Sequence, residues 1–331
     1  MPVRSVLLAA MVLVAFMTLA AGAGTAYATF PGDSGEIAYL RAGYSGLDSD
    51  SLRTRTSAGV PGPVLWPAGE PVGVGRDQAF PWQAAWSPDG MTVAMTALGG
   101  TLGDDRLLIG DPETGEREVI LRIDELNDHL FFASIAFSPA GDRLLFCAPN
   151  LGAPNNEANL YVIDVDGSDV TLLSERPACY GDWSVGGSIV AAAGEDMDRI
   201  VTMNADGTGR QIIVPPRRRS TEWAVGGLPS WSPDGARFVY SLRVGADRQF
   251  DLFSVSAGGS DPQRLTHTLR RDEVFPVYSP DGSEIAYTRS RKLQRHQSDL
   301  FVMAVDGSNV RRLTDSPRAD EYAWSWRAVA P

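Results

Sequence analysis

The residues best able to do chemistry in this chain are acids that recur ahead of a repeated aromatic-serine motif. Glu222, Glu273 and Glu321 occupy related segments, and Gln78 and His129 hold the same place in two others. Three converging carboxylates could hold a hard cation such as calcium through their oxygens, or bind the cationic end of a peptide. The alternative is that these side chains cap strands, meet water or bond neighbouring backbone amides.

Other catalytic patterns are weak. The spacing of the three histidines does not match a metal site; they are His129, His267 and His296. The segment from Asp182 to Gly186 resembles a nucleophile elbow, but it lacks the leading glycine and no helix is expected after it. The aspartates between Asp164 and Asp169 are mis-spaced for a calcium loop. These patterns favour structural turns, and no metal or other cofactor is expected beyond calcium at the acids above.

Eight cations depart from the acidic composition of the chain, whose formal net charge is −12 at pH 7. They are Arg217, Arg218, Arg219, Arg270, Arg271, Arg291, Lys292 and Arg295. The net charge argues against general nucleic-acid binding. Arginine suits bidentate capture of carboxylate or phosphate, so this group is expected to bind an acidic protein or an acidic envelope polymer. The alternative is a set of solvated loops in the product of an arginine-rich, bacterial genome.

The placement of these side chains depends on a sequence repeat. The motif at Trp86-Ser-Pro-Asp-Gly90 recurs, complete or degenerate, at Phe137, Trp183, Trp231 and Tyr278, and Trp324-Ser-Trp326 is interpreted as a truncated last copy beginning at Trp324. Successive aromatic positions lie 51, 46, 48, 47 and 46 residues apart. A fixed period of this length predicts a propeller or a solenoid array.

Each repeat contains signals for four strands, which we name a, b, c and d. Strand a ends at the aromatic residue, and strand b follows the tight turn that Ser-Pro-Asp-Gly predicts. Strands c and d flank a second turn, such as Asp306-Gly307, which is typical of hairpins. Six such units predict an all-β fold, a six-bladed β-propeller of four-stranded blades.

A resemblance to a known family accompanies these motifs. The segment Asp299-Leu-Phe-Val-Met-Ala-Val-Asp-Gly-Ser-Asn-Val-Arg-Arg-Leu-Thr-Asp315 resembles the blade consensus of TolB-like (WD-repeat-like) propellers, and the Trp-Ser-Pro-Asp-Gly turns resemble its other half. The resemblance covers nearly all of the chain from about residue 31. TolB proper has an α/β domain ahead of its propeller, for which this chain has no room, so a stand-alone propeller is implied. Related propellers serve as binding proteins, as periplasmic assembly factors or beside peptidase domains.

The two ends of the chain are expected to share the sixth blade. The run from Gly35 to Arg41 nearly repeats the strand b that runs from Ser283 to Arg289, whereas the last repeat stops after its strand a. We therefore expect the C-terminal strand a to join strands b, c and d from the N-terminus. Because strand a lines the axial channel, the acids described first should surround one mouth of it. The eight cations should lie on loops of blades four and five at the same face.

Cys147 and Cys179 are compatible with one disulfide in an exported protein. Cys147 falls late on strand b of blade two, and Cys179 falls just before strand a of blade three. Stacked sheets lie roughly 10 Å apart, which is wider than the Cα spacing of a disulfide. The sequence therefore leaves open whether the two cysteines form a disulfide or remain unbonded thiols.

Residues 1–28 have the layout of a secretory signal peptide, with Arg4, an apolar core and a small-residue end at Ala26-Tyr-Ala28. Cleavage would leave a propeller over residues 29–331, and an uncleaved segment would form a membrane anchor. We expect a monomer that is secreted or located in the periplasm or cell envelope. The expected function is a non-enzymatic scaffold that binds a protein or an envelope polymer. A metal-assisted lyase or hydrolase at the channel mouth and an accessory subunit of an envelope complex are the alternatives.

Overall fold

The computed structural model describes residues 30–43, 50–70, 79–99, 105–122, 134–149, 158–174, 176–194, 197–215, 229–244, 249–291, 298–317 and 319–329. Throughout these ranges the regular structure is β-sheet, in twenty-four strands that form six separate four-stranded antiparallel sheets. The predicted all-β, six-bladed propeller is confirmed. None of the described segments is a helix of the length and apolar character needed to cross a membrane.

The strands follow the chain order of the blades. The N-terminal strands are β1 (Asp33–Gly43), β2 (Ser51–Thr56) and β3 (Pro61–Trp66). Blade one contains β4 (Ala79–Trp86), β5 (Val93–Gly99), β6 (Arg106–Gly110) and β7 (Arg117–Arg122). Blade two contains β8 (Ser134–Phe137), β9 (Arg143–Pro149), β10 (Ala158–Asp164) and β11 (Thr171–Leu172). Blade three contains β12 (Ala178–Trp183), β13 (Ile189–Ala193), β14 (Arg199–Met203) and β15 (Gln211–Val214).

The remaining strands complete the ring. Blade four contains β16 (Ser230–Trp231), β17 (Arg237–Val244), β18 (Gln249–Ser256) and β19 (Gln263–Arg264). Blade five contains β20 (Arg271–Tyr278), β21 (Glu284–Arg291), β22 (Ser298–Ala304) and β23 (Arg311–Arg312). Blade six consists of β24 (Ala319–Val329) followed by β1, β2 and β3 in the sheet, so the predicted sharing of this blade by both chain ends is confirmed.

The repeated turn between strands a and b is held by its own side chains. In its first copy the Ser87 hydroxyl donates to Asp89 Oδ1 at 2.6 Å, and the Met91 N–H donates to the same oxygen at 2.9 Å. Gly90 has a φ of +67°, and a Cβ at this position would lie 2.2 Å from the Ala328 carbonyl oxygen of blade six. The motif therefore combines turn chemistry with close packing between blades.

The repeated aromatic residues pack between neighbouring blades, as the motif predicts. None is more than 4% exposed: Trp86, Phe137, Trp183, Trp231 and Tyr278. The Arg143 guanidinium of blade two lies 5.4 Å from the Trp183 ring centre of blade three, and Arg327 of blade six lies 4.9 Å from that of Trp86. Such rings bury a large apolar area at each junction, so they serve the core and not a ligand.

The assignment of the last copy of the motif to Trp324 is wrong. Trp326 pairs with Ile37 of β1 just as Tyr278 pairs with Ile285 of β21, and it is 3% exposed. Trp324 lies two residues earlier, where the β1–β24 register shifts at a bulge. Trp324-Ser325 has the sequence of the motif, but the pairing register of β24 with β1 places Trp326 in the junction between the blades.

The two cysteines form a disulfide that joins blade two to blade three. Cys147 on β9 and Cys179 on β12 are buried, and their Cα atoms lie 5.2 Å apart. Cys179 lies inside strand a instead of just before it. The general spacing of stacked sheets overestimates this distance, because the innermost strand β12 packs directly against β8 and β9 of the preceding blade.

Candidate functional site

Of the residues predicted at the channel mouth, the structure describes Glu273 and Glu321; Gln78, His129 and Glu222 lie outside the described residues. Glu273 on β20 and Glu321 on β24 occupy equivalent positions in blades five and six, each paired in register with an arginine of strand b. Both side chains are buried. The repeat therefore places Glu273 and Glu321 at equivalent positions, as the sequence suggests. Their chemical role depends on the side chains that bind each carboxylate.

Glu273 is held by an arginine and a threonine. Its Oε1 accepts a hydrogen bond from Arg289 Nε at 2.9 Å, and its Oε2 accepts one from the Thr266 hydroxyl at 3.2 Å. Burial raises the pKa of Glu273 to about 7, although the positive charge of Arg289 acts in the opposite direction. This carboxyl therefore titrates near neutral pH inside the junction.

Glu321 repeats this arrangement with weaker contacts. The Ser316 hydroxyl donates to its Oε1 at 2.9 Å, and Arg41 Nε lies 3.9 Å from the same oxygen. Burial also raises the pKa of Glu321. The bonds of Glu273 and Glu321 within their own junctions agree with a structural role. Among the described residues, no group of three His, Cys, Asp or Glu side chains is placed to hold a metal ion, and calcium at the channel mouth stays a prediction.

The segment that resembled a nucleophile elbow forms the end of β12 and the repeated turn that follows it. Asp182 accepts hydrogen bonds from the Trp183 N–H at 3.0 Å and from the Trp231 N–H of the next blade at 2.8 Å. Burial raises the pKa of Asp182 to about 7, against the lowering effect of these two hydrogen bonds. Asp182 thus joins two blades, and Ser184 lies in the repeated turn.

The cavity on the propeller axis is lined by residues from strand a of all six blades, and among them are two aromatic side chains that the repeat did not predict, Phe275 and Trp324. Phe275 lies 5.1 Å from Trp324 and 5.9 Å from Tyr322 between ring centres, and Trp82 lies 6.3 Å from Trp324. Trp82, Phe275 and Trp324 each lie at a shift of register in their strand a. Bulges of this kind redirect a side chain. Phe275 has a φ of +54°, an unusual value for a residue with a bulky side chain.

The predicted cation group is described at three positions: Arg270, Arg271 and Arg291. The other five, Arg217, Arg218, Arg219, Lys292 and Arg295, lie outside the described residues. Arg271 begins β20 and Arg291 ends β21, and the two are directly opposite each other in the ladder. The structure thus brings together two predicted cations that are twenty positions apart in the sequence.

These two arginines line a cavity of about 230 Å³. Thr268, Arg289, Asp299, Phe301 and Arg312 complete its wall. Arg289 and Arg312 were not predicted as site residues, because their positions in the repeat are those of ordinary strand residues. Four arginines and a single aspartate give the cavity a positive charge, and their guanidinium groups are suited to binding oxyanions.

The charges around Arg271 are not balanced. Burial lowers the pKa of Arg271, and the positive charges of Arg291 and Arg289 lower it further. Arg289 is paired with Glu273, and Arg312 binds Asp299 at 2.6 Å. Within the part of the chain that the structure describes, no acidic side chain forms an ion pair with Arg271.

The turn leading into this cavity presents an exposed leucine. Leu269 is 78% exposed and stands beside the exposed Arg270, whose φ is +59°. The buried Gln249 holds the turn, since its Oε1 accepts from the Arg270 N–H at 2.9 Å and its Nε2 donates to the Thr268 carbonyl at 3.0 Å. The nearby His267 is exposed. An apolar residue in an otherwise polar connector is the sequence signal that could have identified Leu269, which was not among the predicted site residues.

Comparisons with known proteins show the fold. No protein-family model matches this sequence. A TolB structure from Acinetobacter baumannii superposes with a TM-score of 0.66 at 19% identity, covering 90% of this chain and 68% of that one. A protein assigned as TolB from Agrobacterium tumefaciens gives 0.59 at 19% identity, covering 88% and 98%. A chain of a nidogen/laminin complex gives 0.61 at 12% identity, covering 89% and 100%.

These likenesses identify the class of fold: the chain has the six-bladed propeller of TolB structures, in agreement with the resemblance of its motifs. Part of the sequence also matches a curated protein. The uncharacterised protein Atu1656 of Agrobacterium fabrum is 42% identical over 69 residues, which is 19% of this chain and 22% of that protein. The chain thus matches only about a fifth of the length of this relative.

Proposed function

We propose that this protein is an exported, non-enzymatic scaffold that binds an acidic protein through the loop face of blades four and five. Export is supported by the signal-like residues 1–28 and by the Cys147–Cys179 disulfide, because disulfides persist in oxidising compartments. The compartment is the periplasm, the cell envelope or the extracellular medium.

The observation that carries this proposal is the turn with Leu269 and Arg270, which the Gln249 side chain holds in place at the edge of the cationic cavity. A single exposed leucine is common on protein surfaces, but here the Gln249 side chain holds the turn in place by accepting one hydrogen bond and donating another. Binding to a turn that is already ordered costs less conformational entropy. Arginine beside an apolar anchor is also a common composition for the energetic centre of an interface.

Electrostatics favours an acidic partner. The protein carries a net charge of −12, so a cationic sector stands out against a negative surface. Complementary charge increases the association rate and makes it dependent on ionic strength. An acidic protein is favoured over an acidic polymer because Leu269 offers an apolar contact in addition to charge.

The test is cross-linking in cells that produce the protein, with the wild type compared with Leu269→Ser/Arg270→Asn. Asparagine is chosen because it tolerates the positive φ at position 270. We expect an acidic protein to be cross-linked by the wild type and to be absent from the cross-linked products of the variant. Its affinity, measured with purified components, should fall by about tenfold or more when the guanidinium of Arg270 is removed.

The matched control is Met91→Ser, which removes a side chain that is 70% exposed in the turn between strands a and b, at the opposite face. This variant should retain the partner. Equal affinity of wild type and the Leu269/Arg270 variant for every cross-linked partner would refute the proposal. Loss of binding in both variants would also refute it, since it would indicate a general effect. Capture of a polymer alone would correct the class of partner.

The identity of the cross-linked partner also tests the alternative that this protein is an accessory subunit, because that alternative predicts that the partner belongs to an envelope complex. The enzymatic alternative depended on acids at the channel mouth. Glu273 and Glu321 are buried and bonded within their blade junctions, so these two acids do not add support for that alternative.

A further inference from the structure

The strongest unexplained feature of the molecule is the pair of arginines at the end of the β20–β21 ladder. Arg271 and Arg291 are directly opposite each other, and like charges in this position destabilise antiparallel strands. The corresponding ladder ends of three other blades hold small neutral pairs: Ala79 with Gly99, Ala178 with Ala193, and Ala319 with Gly43. The arginine pair is therefore a departure of blade five from the repeat.

The other two arginines of the cavity have counterparts in neighbouring blades. Arg289 binds Glu273 as Arg41 approaches Glu321. Arg312 binds Asp299 in the same way that Arg264 binds Asp251. These two pairs belong to the repeated framework and need no ligand to explain them. Because the two framework arginines are offset by Glu273, Asp299 and Asp315, the additional positive charge of the wall comes from Arg271 and Arg291.

The cavity has the size and the wall of a small-ligand site. Its volume of about 230 Å³ is many times the roughly 10–15 Å³ that a cavity needs to hold one water molecule. The Arg289 guanidinium lies 4.5 Å from the ring centre of Phe301, which gives the wall an apolar surface. The Thr268 hydroxyl lies 3.4 Å from Arg289 Nη2 and adds a neutral hydrogen-bonding group.

We propose that this cavity binds a small organic oxyanion, whose carboxylate or phosphate group is held between Arg271 and Arg291. The bound charge offsets the repulsion between the two guanidinium groups, each of which can form paired hydrogen bonds with an oxyanion. This site goes beyond the proposed function, because a small anion can occupy it without the protein partner.

The test is a titration of the purified protein with citrate, pyrophosphate and inorganic phosphate at constant ionic strength, followed by calorimetry and thermal shift. At least one of these anions should bind with 1:1 stoichiometry and raise the melting temperature. Citrate binding alone indicates a carboxylate site, and binding of the phosphates alone indicates a phosphate site. In Arg271→Ala/Arg291→Ala the affinity should fall about a hundredfold, about tenfold for each guanidinium group removed.

Folding of the double variant is expected, since the equivalent ladder ends are small and neutral, and without anion it should melt no lower than the wild type. Arg271→Gln alone provides a second, milder test and should weaken binding about tenfold. The proposal is overturned if no anion stabilises the protein more than chloride does, or if the variants bind as tightly as the wild type. Leu269→Ser/Arg270→Asn should retain anion binding, so the failure of this site and the failure of the partner surface give different results.

Discussion

At the scale of single residues, the most informative groups are carboxyls buried at blade junctions. Glu273 is fully buried and Asp182 is partly buried, and burial raises the pKa of each to about 7. Their hydrogen-bond partners favour the charged form, but burial outweighs this effect. The junctions of the ring therefore contain groups that change protonation in the physiological range.

These pKa values predict that stability falls as pH rises from about 4.5 to 7. In this window the folded protein keeps a proton on Glu273, whose ordinary pKa is 4.5, while the unfolded chain releases it. Stability is therefore highest below the window and is lost as pH passes through the folded pKa. Glu273→Gln cannot titrate, so its unfolding free energy should vary less between pH 5 and 8, by on the order of 2–3 kcal/mol. Urea unfolding at several pH values measures the difference.

The exposed Asp166 provides the control for this experiment. The Ser168 hydroxyl lowers the pKa of Asp166, so Asp166→Asn should leave the slope between pH 5 and 8 unchanged. If the wild type gains stability over this range, or if Glu273→Gln has the same slope as the wild type, the carboxyl is not neutral in the folded protein.

At the scale of strands, the sequence predicts repeated positions well and departures from the repeat poorly. The turn between strands a and b could be predicted because Pro88, Asp89 and Gly90 favour it locally. Trp326 could not be distinguished from Trp324, because the choice depends on register with β1 at the other end of the chain. The axial aromatics were missed for the same reason: bulges redirect them, and a bulge is a property of two paired strands.

The candidate site shows the same division. Arg271 and Arg291 were among the predicted cations, since their charge and connector positions are visible in the sequence. Their direct opposition and the contribution of Arg289 and Arg312 to one cavity follow from strand pairing. The sequence therefore predicts that the site is positively charged, whereas the arrangement of its side chains depends on how the strands pair.

The disulfide between β9 and β12 predicts a measurable change in the free energy of unfolding. Cys147 and Cys179 are 32 positions apart, and closing a loop of this length stabilises the folded state by roughly 3–4 kcal/mol. Cys147→Ala/Cys179→Ala should lose about this amount in guanidinium unfolding. Wild type measured in a strong reductant should lose a similar amount, whereas reductant should not affect the variant. A wild-type unfolding free energy that is insensitive to reductant would contradict this prediction.

At the scale of the whole molecule, stability depends on closing the ring through β24. This strand pairs with β1 and also packs against β4 of blade one and β20 and β22 of blade five. Trp326 fills the junction with blade five, and Arg327 Nε donates to the Gly90 carbonyl of blade one at 2.8 Å. One C-terminal strand thus secures three blades, and among the described strands β1 has no other partner at that edge of its sheet.

Deleting residues 318–331 should therefore open the ring and cause aggregation. The deletion exposes the hydrogen-bonding edge of β1, and unpaired strand edges associate between molecules. It also uncovers Ile37 and Tyr39, which are buried against Trp326 and Ala323. Size-exclusion chromatography with light scattering should show large species, and melting should begin at a lower temperature. A chain lacking only residues 330–331 retains all of β24 and should behave as the wild type, and a synthetic peptide of residues 319–329 should partly restore the soluble form of the longer deletion. A deletion variant that is soluble, with unchanged size and melting, would show that five complete blades and three strands are stable without closure.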